Sequence, residues 1–168
     1  GDKTTWSFDG PSGLLVSKTT PAADPQLSSD PVAGYPQSTT YGYNSRGQTS
    51  IRTSARGIAT SYSYDSLTGE LLGQTYSDST PGVNYTYRRS GDLATVQDAT
   101  GSRTFVYSGS LPHQLDGVQL DGFYGSRVLT RQYDSLKRPS GFMLGSALFS
   151  SSDLLQTYAY NSLGRFES

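Results

Sequence analysis

Aromatic residues recur along this chain in pairs separated by one residue. Y-G-Y-N-S-R-G runs from 41 to 47, Y-S-Y-D-S-L-T-G from 62 to 69, Y-T-Y-R-R-S-G from 85 to 91 and Y-A-Y-N-S-L-G-R from 158 to 165. Weaker copies are W-S-F-D-G-P-S-G-L-L at 6–15, F-V-Y-S at 105–108 and R-Q-Y-D-S-L-K-R-P at 131–139. The second ring of each copy is Phe8, Tyr43, Tyr64, Tyr87, Tyr107, Tyr133 or Tyr160, at successive gaps of 35, 21, 23, 20, 26 and 27 residues. Ring–spacer–ring has period two, which places both rings on one face of a β-strand.

Each copy predicts a hairpin. Asn44, Asp65, Asp134 and Asn161 follow the second ring directly. Asn or Asp at that point opens a turn by bonding its own backbone two residues on. Gly47, Gly91 and Gly164 stand three residues later, where a left-handed glycine closes a short loop, and Gly13 and Gly69 stand one residue further. Return strands are expected over 48–52, 70–76 and 92–97. Residues 17–40 hold four of the eight prolines and predict an extended loop inserted in the array. Residues 109–122 blur the repeat. F-M-L-G-S-A-L-F at 142–149 predicts a strand, with a plug against the inner face as the other reading.

One hairpin alone is marginal in water, so stability is expected from neighbours burying a continuous aromatic stripe. The fold class is therefore all-β. Tandem antiparallel hairpins form one curved or spiralling sheet, or an open barrel-like shell segment. Residues 1–168 read as a single array of about seven repeats. The repeat-defining residues are Trp6, Phe8, Tyr41, Tyr43, Gly47, Tyr62, Tyr64, Asp65, Gly69, Tyr85, Tyr87, Gly91, Phe105, Tyr107, Tyr133, Asp134, Tyr158, Tyr160 and Gly164. Trp6 takes the first ring position and is expected in the core.

Composition agrees with this reading. Only 33% of residues are hydrophobic, but 13 tyrosines, six phenylalanines and one tryptophan bring large buried areas. A net charge of −1 gives no field for nucleic acid. Without cysteine there is no disulfide or thiolate metal site, and no apolar run is long enough to cross a membrane as a helix.

Chemistry-bearing groups are sparse. His113 is the sole histidine, so zinc ligation and a Ser-His-Asp triad lack partners. Asp92, Asp98, Asp116 and Asp121 are scattered, and a carboxylate pair cannot be read from spacing. The Asp and Asn after each ring pair suit turns better than calcium or glycoside hydrolysis, because all hairpins cannot be catalytic at once. Arg88 and Arg89 read as turn-tip charges, and Asn84-Tyr85-Thr86 is a formal glycosylation sequon in a strand. No P-loop, G-x-S-x-G or G-x-G-x-x-G motif occurs. The residues thus name no catalytic, cofactor or metal site.

The pattern Y-x-Y-[DN]-x-x-G-R-L resembles the YD-repeat, or Rhs-repeat, family over nearly the whole chain. Arg46, Arg138 and Arg165 sit at or near the family arginine, although Arg46 precedes its glycine and Thr68-Gly69-Glu70 replaces G-R. The family includes bacterial Rhs polymorphic toxins, cocoon-forming subunits of insecticidal toxin complexes, and teneurins. The resemblance implies a long β-ribbon spiralling into a hollow shell, which in the bacterial toxins encloses a toxic domain. Its acidic D-P-x-G cleavage motif is absent, so the chain is expected to be a fragment or a short array. The function implied is structural and non-enzymatic, with no cofactor, inside a larger secreted or cell-surface bacterial protein. The partners implied are adjoining repeats and, beyond them, a toxin domain or a surface glycan. Neither nucleic acid nor membrane insertion is expected. The alternative is a carbohydrate- or cell-surface-binding module using exposed rings.

Overall fold

A computed structural model describes residues 3–21, 37–146 and 152–167. Its strands are β1 (Thr5–Phe8), β2 (Leu15–Thr20), β3 (Gln37–Tyr43), β4 (Thr49–Thr53), β5 (Ala59–Tyr64), β6 (Leu71–Tyr76), β7 (Val83–Tyr87) and β8 (Leu93–Asp98). They continue as β9 (Gly101–Tyr107), β10 (Leu115–Leu120), β11 (Arg127–Tyr133), β12 (Pro139–Gly145), β13 (Ser152–Thr157), β14 (Ala159–Tyr160) and β15 (Phe166–Glu167). The fold is all-β. Thirteen strands stand in one antiparallel sheet in chain order without closing into a barrel, and β14 and β15 pair separately. The chain divides into two compact units, residues 1–82 and 83–168.

In the first unit the turns form where Asp, Asn and Gly predict them. The Asn44 N–H donates to the Gln48 carbonyl at 2.9 Å and the Asp65 N–H to the Glu70 carbonyl at 2.8 Å. Gly47 and Gly69 take φ 76° and 78°, a region costly for side-chain-bearing residues. The second unit repeats the scheme at Arg88–Asp92, Asp134–Arg138 and Asn161–Arg165. Gly91 and Gly164 have φ 83° and 76°, but Lys137 occupies the glycine position of its turn with φ 64°. Gln114 ends a longer turn in which His113 adopts φ 62°.

Three sequence expectations change. The stretch 17–40 is strand at both flanks, with Ser17–Thr20 paired to Gln37–Thr40. Threonine and serine build these strands without apolar alternation, so hydrophobic periodicity misses them. The Thr19 hydroxyl lies 3.3 Å from that of Ser38. Residues 22–36 lie outside the described residues. Within 109–122, Leu115–Leu120 is an ordinary strand. Of the apolar run 142–149, residues 142–145 belong to β12, and residues 147–150 lie outside the described residues.

The third change concerns the core. Strong strand–strand contacts are made between sheet neighbours, so each unit is a single layer. A single layer half-buries its side chains. Among the described residues Val128 is the buried hydrophobic side chain, and Thr60 in the first unit and Thr130 in the second are the buried polar ones. Most ring positions are half-buried, not in a dry layer. Trp6 and Phe8 are 55% and 59% exposed on β1, which is the edge strand of the sheet among the described residues.

Candidate functional site

The recurrent feature of the sheet is a bulge beside six of the seven second rings, Tyr160 being the exception. In β2, Leu15 pairs with Phe8 but Ser17 pairs with Ser7, leaving Val16 as the extra residue. The same step leaves out Ser50 opposite Tyr43, Leu72 opposite Tyr64, Ala94 opposite Tyr87, Asp116 opposite Tyr107 and Ser140 opposite Tyr133. A bulge disrupts the ladder and leaves backbone groups seeking partners.

The tyrosine of the following repeat supplies one. In the first unit the Tyr43 hydroxyl donates to the Leu15 carbonyl at 2.7 Å and the Tyr64 hydroxyl to the Thr49 carbonyl at 2.8 Å. In the second unit Tyr107 donates to Leu93 at 2.9 Å, Tyr133 to Leu115 at 2.8 Å and Tyr160 to Pro139 at 2.7 Å. Leu15, Thr49, Leu93, Leu115 and Pro139 are the residues that pair with the preceding second ring. Tyr43, Tyr64, Tyr107, Tyr133 and Tyr160 therefore each latch their own hairpin onto the hairpin before it. Burial raises the Tyr64 and Tyr107 hydroxyls above the usual phenol value, which keeps them protonated as donors.

The carboxylates after the rings are spent in turns. The Asp65 Oδ1 accepts from the Leu67 and Thr68 N–H groups at 2.8 and 2.7 Å. Asn44 and Asn161 cap Arg46 and Leu163 in the same way, and Asp134 caps Leu136. Backbone N–H bonds, from Thr68 first for Asp65 and from Arg138 first for Asp134, hold both carboxyls below the usual range. Asp9 is lowered chiefly by the Ser12 hydroxyl. Asp98 is lowered to about 2 by the Thr100 hydroxyl first, then by the Thr100 N–H and Arg103. Among the described residues no group of three His, Cys, Asp or Glu side chains stands where it could hold a metal ion.

A second set of side chains ties consecutive turns. The Arg46 guanidinium donates to the Ser66 carbonyl, and Gln48 Nε2 donates to the Gly69 carbonyl at 2.8 Å. The Arg88 guanidinium lies 5.0 Å from the centre of the Tyr107 ring. Arg138 donates to Asp134 at 2.7 Å and lies 4.0 Å from the centre of the Tyr160 ring, nearer than Arg88 to Tyr107. Tyr160 in turn stacks on Phe166 at 4.8 Å.

His113 belongs to this set. It is largely exposed, but its Nδ1 lies 2.7 Å from Asp92 Oδ1 of the preceding turn. Asp92 also accepts from the Ser90 hydroxyl at 2.7 Å, and these two partners, His113 first, hold it below the usual carboxylate range. With Arg88, Ser108 and Ser110 they line a cavity of about 280 Å³. A cavity of about 320 Å³ lies over Leu129, Tyr133, Pro139, Phe142 and Tyr158. Neither gathers a nucleophile, its base and an oxyanion donor among the described contacts. The spacing of the rings revealed the repeats, but the hydroxyl latch went unread. Its sequence signal is that the second ring is Tyr in every copy after Phe8.

No family model matches the chain, and no curated protein matches it. Solved structures do. The crystal structure of a TcdB2–TccC3 complex and that of TcdB2–TccC3–Cdc42 each superpose with TM-score 0.73 at 17% identity, covering 95% of this chain and 9% of theirs. The Photorhabdus luminescens Tc holotoxin pore carrying a TccC3 mutation superposes with TM-score 0.54 at 15% identity, covering 98% of this chain and 12% of that one. The chain thus spans about a tenth of the length of the toxin-complex chains it resembles. At such identity the likeness is one of fold.

Proposed function

We propose that this chain is a non-catalytic wall segment of a YD/Rhs-type β-shell within a large exported bacterial protein. Its work is to fold as latched hairpins that carry the sheet from one repeat to the next. Adjoining repeats are its immediate partners, and an enclosed toxic domain is the cargo such a wall serves. The observation that carries this reading is the tyrosine latch, in which the second rings Tyr43, Tyr64, Tyr107, Tyr133 and Tyr160 are each engaged in holding the repeat before them. A hydroxyl bonded to backbone is not offered to a sugar. The turn carboxylates are likewise engaged by their own N–H groups, and this supports the non-enzymatic reading. The likeness to Tc toxin chains supports the shell and the exported setting.

The test is a screen of the purified chain on a glycan array and on chromogenic glycoside, ester and phosphate substrates, alongside backbone hydrogen exchange. The expected outcome is slow exchange along the paired strands, with no saturable glycan and no turnover. A saturable glycan lost in Tyr62→Ala, or turnover lost in His113→Asn, would overturn the reading.

A further inference from the structure

The one histidine of the chain joins two turns. With Nδ1 2.7 Å from Asp92 Oδ1, His113 ties the loop between β9 and β10 to the turn between β7 and β8. That loop does little to hold itself. The Ser108 N–H closes its base on the Gln114 carbonyl at 2.8 Å. Above the base, the Ser110 and Leu111 N–H groups reach the Ser108 hydroxyl at 3.3 Å, and the Gln114 N–H reaches the Leu111 carbonyl at 3.3 Å. These lengths lie at the weak end for N–H donors. His113 also stands at φ 62°, in the left-handed region that Gly47, Gly69 and Gly91 fill in other turns. The short contact with Asp92 offsets the cost of that backbone.

We infer that the His113–Asp92 pair is a pH-sensitive clasp. It holds the 108–114 loop against the β7–β8 turn in mild acid and loosens as the imidazole gives up its proton. A protonated imidazole meets the carboxylate as an ion pair, whereas a neutral one offers an uncharged N–H. Asp92 stays ionised meanwhile, because His113 first and the Ser90 hydroxyl next hold its carboxyl below the usual range. The ion pair's share of the attachment is therefore full at the acid side of the imidazole's titration and lost as pH rises through it. The other charged group lining the shared cavity is Arg88, a fixed cation that lies over the Tyr107 ring. Asp116 and Arg131 line a separate cavity with Gln114 and do not line this one. The ties described between other turns, Arg46 to Ser66, Gln48 to Gly69 and Arg138 to Tyr160, contain no imidazole. A response confined to this loop near neutral pH thus reports on His113.

The experiment is amide exchange on the whole chain between about pH 5.5 and 8. Exchange is read by NMR at Ser110, Leu111 and Gln114, and each rate is divided by that of an unstructured chain at the same pH. The carbon-bound imidazole protons report the charge of His113 in the same samples. Protection of the three amides is expected to fall about twofold to fivefold as His113 loses its proton, the size of one largely exposed ion pair. Thr104 and Gln119, paired in the β9–β10 ladder, are expected to show no such step. Asp92→Asn keeps an acceptor without the charge, and His113→Asn accepts the same backbone with no proton to lose. Both variants are expected to give flat profiles at the loop. A flat profile in the unaltered chain, a step that persists in Asp92→Asn, or a step shared equally by Thr104 and Gln119 would each overturn the inference.

Discussion

Replacing Tyr64 by phenylalanine deletes one atom from the rung between two hairpins and leaves the ring in place. That atom lies 2.8 Å from the Thr49 carbonyl, in a part-buried position. A typical hydrogen bond contributes about 0.5–1.5 kcal/mol net, and an orphaned buried acceptor costs about 1–3 kcal/mol. Thr49 is half-buried, so water reaches part of the vacated site and the loss is set near the lower range, at about 1 kcal/mol. Tyr62 is the internal control. It is the first ring of the same pair, and its hydroxyl has no hydrogen bond among the described residues. Tyr62→Phe is therefore expected to change stability by under about 0.3 kcal/mol. With urea slopes of about 1–3 kcal/mol per molar, the Tyr64→Phe midpoint should fall by roughly 0.3–1 M. Repeat arrays open locally, so amide exchange across β4 and β5 gives the finer reading, with about fivefold faster exchange expected. Equal midpoints and equal exchange in Tyr64→Phe and Tyr62→Phe would refute the latch.

Raised tyrosine values favour the fold below the ordinary phenol value of 10.0, and this stability is lost as pH climbs through the higher folded value. Fluorescence-monitored unfolding should thus be flat to about pH 10 and fall beyond it, less steeply in Tyr64→Phe/Tyr107→Phe. The carboxylates give the opposite limb. Lowered Asp65, Asp92, Asp98 and Asp134 stabilise the fold above 3.8, and this is lost on acidification towards about 2, the value held by Asp98. Circular dichroism between pH 5 and 2 should show that loss, and Asp98→Asn should start lower and lose less. Lys137→Gly should stabilise by about 0.5–1 kcal/mol in thermal unfolding, because lysine pays for φ 64° where the other turns use glycine. Arg138→Lys should speed exchange at Tyr160, since an ammonium cannot both pair with Asp134 and lie flat over the ring.

The hairpins were legible because turn chemistry is local. Asn44, Asp65 and Asn161 cap backbone two residues on, and Gly47, Gly69 and Gly164 meet the left-handed requirement within the same few residues. Ring pairing by period two was equally local. The flanks of 17–40 were not legible, because Ser17–Thr20 and Gln37–Thr40 are strands of hydroxyl residues that hydrophobic alternation does not mark. Burial was misjudged for a different reason. Large aromatic area suggested a core, but a single layer offers no opposing surface, and Trp6 on an edge strand is 55% exposed. The latch depends on a bulge and on register between repeats, neither of which spacing reports. Spacing does not report the contact of His113 with Asp92, 21 positions earlier, which only the folded turn makes.

The latch explains how so thin a layer holds its register. A flat sheet with half-buried faces specifies register weakly, since slipping a strand by one residue exchanges two similar faces. Here every slip carries a double cost. It moves the bulge away from its ring, and it takes the next tyrosine hydroxyl off a carbonyl that no regular partner replaces. The glycine-closed turn fixes the register inside a hairpin, and the hydroxyl fixes it between hairpins. That division also accounts for which part of each repeat varies. The tip position two residues past the turn opener differs between hairpins, Arg46, Leu67, Ser90 and Leu163, whereas the second ring is Tyr in every copy after Phe8. A wall assembled this way tolerates insertions between repeats, such as the long gap before Tyr43, because Tyr43 still reaches Leu15 across it.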